Sequence, residues 1–122
     1  MVDKVNLAEK FASFDETYVP KVVAALNDQF VKVVKFKGEY VWHHHENEDE
    51  LFWVVKGSIR IDFRDGPVEI GEGEFCVVPR GVEHRPVAEQ EAWVVLFEPD
   101  TTVNTGQSGG EFTRAPEELE RI

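Results

Sequence analysis

Four side chains of this 122-residue sequence carry the donor types of a transition-metal site: His43, His45, Glu50 and His84. His43 and His45 are two apart. On an extended strand that spacing puts both imidazoles on one face, while His44 turns to the other. Glu50 and His84 complete a set of three nitrogens and one carboxylate, which suits first-row transition metals better than calcium or magnesium. Zinc, manganese, iron, nickel and copper all accept such ligands, so the expectation is one divalent ion whose identity the ligands leave open. A centre of this kind with open coordination positions acts as a Lewis acid, orients a chelating substrate, or binds dioxygen when the metal is iron.

These residues need particular elements to hold them together. Glu50 is an odd number of residues from His45 and would face away on one continuous strand, so Glu46-Asn47-Glu48-Asp49 is read as the turn that brings the carboxylate back opposite the histidines. Pro79-Arg80-Gly81 then turns the chain so that His84 enters from a further strand. The rest of the sequence has the same grain. Residues 22–26, 30–36, 41–45, 50–56, 58–63, 68–70, 75–78, 84–87 and 93–97 are short β-branched or aromatic runs separated by turn formers. With no helices between them, they predict an all-β sandwich or barrel rather than a parallel α/β fold. One short helix is expected at the start, where Asn6-Leu7-Ala8-Glu9 has a capping-box pattern and Leu7, Phe11 and Phe14 follow at helical spacing. Residues 101–110 are polar and glycine-containing, expected as a mobile arm or as a segment packed on a neighbour, with a last helical turn at 116–122.

At this length, with 42% hydrophobic residues, residues 1–122 make one domain with a real core. Its barrel core is placed at about 36–99, with a helix and arm at 1–20 and a tail at 100–122. Acidic residues outnumber basic ones by 24 to 13, and the net charge of -11 argues against nucleic acid or anionic membranes as partners. Cys76 is the only cysteine, so no intrachain disulfide is possible; it reads as a buried thiol. Residues 1–14 lack the uninterrupted apolar run of a signal peptide, and no stretch approaches the length of a membrane span. A soluble, cytoplasmic protein is the expectation.

The motif spacings resemble those of the cupin superfamily. Its first motif, H-x-H, four residues, E, six residues and G, is matched by His43, His45, Glu50 and Gly57; its second, G, five residues, P-x-G, two residues and H, by Gly73, Pro79, Gly81 and His84. Two positions depart from the pattern. Gly38 lies one residue closer to the first histidine than usual, and Ala88 stands where an asparagine is common. The resemblance, closest to small single-domain cupins grouped with mannose-6-phosphate isomerase-like proteins, implies a double-sheet jelly-roll barrel with the four named residues as metal ligands. It implies no single reaction, because the fold hosts isomerases, dioxygenases and non-catalytic binding modules alike.

Parity sketches the pocket. Phe52 and Val54 share the inward face of Glu50, and Val41 shares that of His43 and His45, which makes these three the candidate substrate-binding residues of an apolar wall for a small-molecule ligand. His44 is read as outward. Leu51, Trp53 and Val55, with Trp42, form an outward apolar face that needs a cover, either the Leu7-Phe11-Phe14 helix or a second subunit, and a homodimer is predicted. Sugar-phosphate isomerisation ranks low, since Lys56 alone among nearby cations has the parity of Glu50. A small metalloenzyme acting on a compact chelating substrate is the leading expectation, and a non-catalytic metal- or ligand-binding module the alternative.

Overall fold

Alternation of apolar and polar side chains decides which face of a strand turns inward. Seven strands follow it in the computed structural model, which describes residues 2–122. They are β1 (Lys21–Leu26), β2 (Gln29–Glu39), β3 (Glu50–Lys56), β4 (Ser58–Phe63), β5 (Gly66–Gly71), β6 (Phe75–Val78) and β7 (His84–Pro99). All pair antiparallel, in the order β1-β2-β7-β3-β6, while β4 joins β5 to the first part of β7. This is the all-β jelly roll that the motifs imply.

β7 pairs with three strands. Its residues 84–87 pair with β4, and from Trp93 onward it runs between β2 and β3. The sequence suggested two strands here. No glycine or proline interrupts residues 87–98, so the chain bends without breaking, and register shifts at Phe36/Gly38 of β2 and Val54/Lys56 of β3 absorb the bend. Residues 41–45, expected as a strand, make only a single bridge between His43 and His84. Their carbonyls are engaged elsewhere: Val41 accepts from the His43 ring and His45 accepts from the Gly81 N–H.

The barrel interior is filled by Val34, Phe36, Phe52, Ile61, Val94 and their neighbours, with Val54, Ile61 and Val94 wholly buried. Outside it lies α1 (Leu7–Ala12), capped by Asn6, whose side chain accepts from the Glu9 N–H at 3.0 Å. Phe11 of this helix is fully buried and stacks on Trp93 at 4.8 Å, and Lys35 fastens the following turn by donating to the Phe14 carbonyl at 2.6 Å. The helix therefore covers Val33 and Val95 and, of the face expected to need a cover, Val55, but does not reach the edge formed by β3 and β6. There Trp53 faces Phe75 and Leu51 faces Val77, leaving Trp53 41%, Phe75 62% and Val77 51% exposed. Trp42 is covered instead by the Arg64 guanidinium, 3.8 Å from its ring.

The tail is a strap on its own barrel. Thr102, Asn104 and Thr105 are buried; Asn104 donates to the Phe112 carbonyl and accepts from the Arg114 N–H; and the Phe112 ring lies against Tyr40 at 5.3 Å. Gly106 has φ +58 and sits so close to His44 that a Cβ there would lie 2.0 Å from the His44 carbonyl oxygen. The helical turn expected at 116–122 is limited to a 3-10 turn at Pro116–Glu118, because the chain then extends to bond Val22 through Glu120 and Ile122. That contact covers the open edge of β1.

Candidate metal centre

β3 begins at Glu50 and β7 at His84, so the carboxylate and one imidazole each stand on the first residue of a strand, and the two meet at one end of the barrel. The segment carrying His43 and His45 is pinned beside them by paired backbone hydrogen bonds: the His43 N–H donates to the His84 carbonyl at 3.0 Å, and the His84 N–H to the His43 carbonyl at 2.9 Å. One ligand-type atom from each of His43, His45, Glu50 and His84 lies within 4.8 Å of the other three, and all four residues are buried. Glu50 Oε1 is 3.4 Å from His45 Nε2 and 3.5 Å from His84 Nε2.

The surroundings fix which nitrogen is available. His43 Nδ1 donates to the Val41 carbonyl at 2.8 Å and His84 Nδ1 to the Val82 carbonyl at 2.9 Å, which places the proton on Nδ1 and a lone pair on Nε2 of each ring. Burial, reinforced by the neighbouring His84, lowers the His43 pKa to about 4, so its ring is neutral near pH 7. Burial alone would raise the Glu50 pKa, but the neighbouring polar groups of Glu98, His45 and His84 outweigh it and hold the carboxyl well below its usual range. His45 Nε2, His84 Nε2 and Glu50 Oε1 are buried with no hydrogen-bond partner. Buried polar atoms are normally satisfied. Three that converge, two of them on nitrogen and one on oxygen, fit a transition metal, which would satisfy all three at once.

A small pocket of about 20 Å³, open at its mouth, lies against His43 and Glu50. Its wall is mostly apolar, lined by Val34, Phe36, Phe52 and Leu96 together with the strap residue Asn104. Phe52 lies on this wall, while Val54 is buried in the core and neither it nor Val41 is part of the lining. Val41 instead orients the His43 ring through its carbonyl. His44 points away, 3.7 Å from Glu46. Sequence reasoning passed over Tyr40, whose ring stands edge-on to His43 at 5.5 Å. Burial and the charges of Glu50 and Glu98 raise the Tyr40 pKa, so its hydroxyl keeps its proton at the cavity. It also passed over Lys32 and Glu98, both fully buried and joined at 2.7 Å behind Glu50. Their signal was present: Lys32 has the parity of Val34 and Phe36, and Glu98 that of Val94 and Leu96. Lys56, the cation sequence parity placed inward, is exposed and lies over Trp93.

Known proteins resemble this chain in sequence and fold. The cupin domain family profile matches residues 31–99. A protein of Bacillus subtilis (strain 168), YdbB, described as uncharacterized, is 37% identical over 81 residues, which are 66% of this chain and 66% of the length of that relative. A cupin-2 domain containing protein from Shewanella frigidimarina has 42% identity and a TM-score of 0.77, over 78% of this chain and 93% of that chain. Protein NMB1881 from Neisseria meningitidis has 35% identity and a TM-score of 0.74, over 80% of this chain and 99% of that chain.

Proposed function

The chain belongs to the cupin domain family, and from that premise we propose that it is a small metalloenzyme whose His43, His45, Glu50 and His84 hold one divalent transition metal ion. The observation that carries the reading is the convergence of three buried, partnerless donor atoms beside a cavity with an open mouth. When bound, the ion would supply Lewis acidity or, as iron, a site for dioxygen. The substrate is a compact, metal-chelating organic molecule with an apolar body. Phe36 and Phe52 exclude water from it, Val54 backs that wall from the core, Val41 holds the His43 ring in place, and the Tyr40 hydroxyl offers one hydrogen-bond donor.

A sugar phosphate fits poorly. No cation is among the lining residues, and Lys32, the nearest buried one, is taken by Glu98. One observation favours the second reading, a non-catalytic binding module: with Glu50 committed as a ligand, Tyr40 is the one remaining titratable group among the lining residues besides His43 and Tyr18, and Tyr18 donates to the Gly38 carbonyl. For the assembly we propose a cytoplasmic homodimer that buries Leu51, Trp53, Phe75 and Val77 against a second copy.

The test is the metal content of protein purified without a polyhistidine tag, alongside its His84→Ala variant. Close to one equivalent, lost in the variant, supports the centre; protein that takes up no zinc, manganese, iron, nickel or copper even on reconstitution refutes it. Incubating the loaded protein with a panel of chelating substrates under oxygen then separates enzyme from module, by consumption in the first case and stoichiometric binding without consumption in the second.

A further inference from the structure

A lysine and a glutamate with no exposed atoms of consequence need a reason to be inside a barrel this small. Lys32 is 0% and Glu98 1% exposed, and Lys32 Nζ donates to Glu98 Oε1 at 2.7 Å. Burying two charges costs several kcal/mol per ion, and an apolar pair of the same volume often serves stability as well or better. So the pair's presence is not explained by the fold.

Its position is informative. Glu98 lies on β7, whose register against β3 sets Phe52 opposite Leu96 and Leu51 opposite Phe97, and one step further sets Glu50 opposite Glu98. Two carboxylates facing each other across a strand pair are unfavourable unless something fixes them. Lys32, reaching in from β2 on the other side of β7, holds one oxygen of Glu98. The other, Oε2, is buried without a hydrogen-bond partner, and the strand register places the buried Glu50 carboxylate opposite it. Lys32, Glu98 and Glu50 therefore form a line running from the far sheet position to the metal ligands, and Glu50 Oε1 is the oxygen turned toward His45 and His84.

We propose that Lys32 and Glu98 are positioning residues for the metal centre: anchored by Lys32, Glu98 holds the Glu50 carboxylate through one proton shared between the two carboxyls, so that a single Glu50 oxygen is presented to the ion. The inference rests on the metal-centre reading above and adds residues outside the ligand set to it. Groups that orient a ligand in this way typically account for about 10- to 100-fold in metal affinity.

The experiment uses Co²⁺ as the probe, read by its visible d–d absorption and by competition with a chelator, in the parent, Glu98→Gln, and the double variant Lys32→Met with Glu98→Leu. The double variant removes the device without leaving a buried charge alone, and its melting temperature is expected to match or exceed that of the metal-free parent. Its Co²⁺ affinity should fall about 10- to 100-fold with an altered absorption band, although all four ligands remain. Glu98→Gln keeps an acceptor for Lys32 and a donor for Glu50, and should retain affinity within a few-fold and the parent spectrum. A double variant that binds Co²⁺ with parental affinity and spectrum overturns the positioning role while leaving the centre intact. A parent that binds no Co²⁺ overturns the centre itself, and the inference with it.

Discussion

Replacing Gly106 by alanine tests whether the strap is bound to the histidine segment as tightly as its geometry requires. An alanine Cβ would lie 2.0 Å from the His44 carbonyl oxygen, where an ordinary contact needs 3.4 Å or more, so the strap must lift by roughly 1.4 Å. The obstacle is backbone on both sides and cannot rotate away. The left-handed φ of +58 adds about 1–2 kcal/mol for a residue with a Cβ. Lifting by that much takes the 2.7 Å bond from Ser108 Oγ to the Trp42 carbonyl out of range, at about 1 kcal/mol. The combined loss is about 2–3 kcal/mol, or a melting temperature lower by roughly 5–15 °C for a domain of this size. If the strap detaches locally, hydrogen exchange measured by mass spectrometry should accelerate in peptides from residues 102–114, with β4 and β7 peptides changed far less. Parental exchange in the strap together with a parental melting temperature would refute the reasoning.

Other outcomes follow from the same geometry. The metal-free protein should lose stability as the pH falls from about 6.5 to about 4, since the unfolded His43 takes up a proton that the buried ring refuses until its own pKa of about 4. Up to about 3 kcal/mol is involved, and the difference between urea midpoints of parent and His43→Gln across that range isolates it. Ile61→Ala, at a position with no exposed surface, should cost about 2–5 kcal/mol by urea denaturation without changing metal stoichiometry. Tyr40→Phe should leave metal content unchanged and weaken binding of a chelating ligand about 3- to 10-fold by titration calorimetry, the loss of one hydrogen bond. Trp53→Glu should shift the protein to monomer in sedimentation velocity; a parent that is already monomeric removes the dimer proposal.

The donor set was legible because its spacing is short-range: H-x-H depends on strand parity alone, and the turns before Glu50 and before His84 announce themselves in glycine, proline and acidic residues. The helix was legible for the same reason, from its cap and its Phe11 face. What escaped depends on long-range placement. Tyr18, Tyr40 and Asn104 reach the cavity from segments whose path no local pattern gives. Residues 101–110 look like a polar arm in sequence, yet Thr102, Asn104 and Thr105 are buried, and Asn104 and Thr105 bond to later strap residues. Lys32 and Glu98 were visible as charges on inward parity, but their meaning needed the β2-β7-β3 register. The break expected in β7 failed because a bend spread over a register shift needs no turn residue.

β7 has a consequence for how the molecule comes into being. It is the strand on which β2, β3 and β4 all converge, and it carries His84 at one end and Glu98 at the other. During synthesis the first six strands leave the ribosome before the strand that unites them, so most of their pairings are long-range contacts that wait for the chain to reach residue 98. Until then His43, His45 and Glu50 have no frame. An ion at the four-residue centre would therefore have to wait for β7, and a nascent chain arrested before β7 should expose its hydrophobic strands to chaperones while carrying no ion.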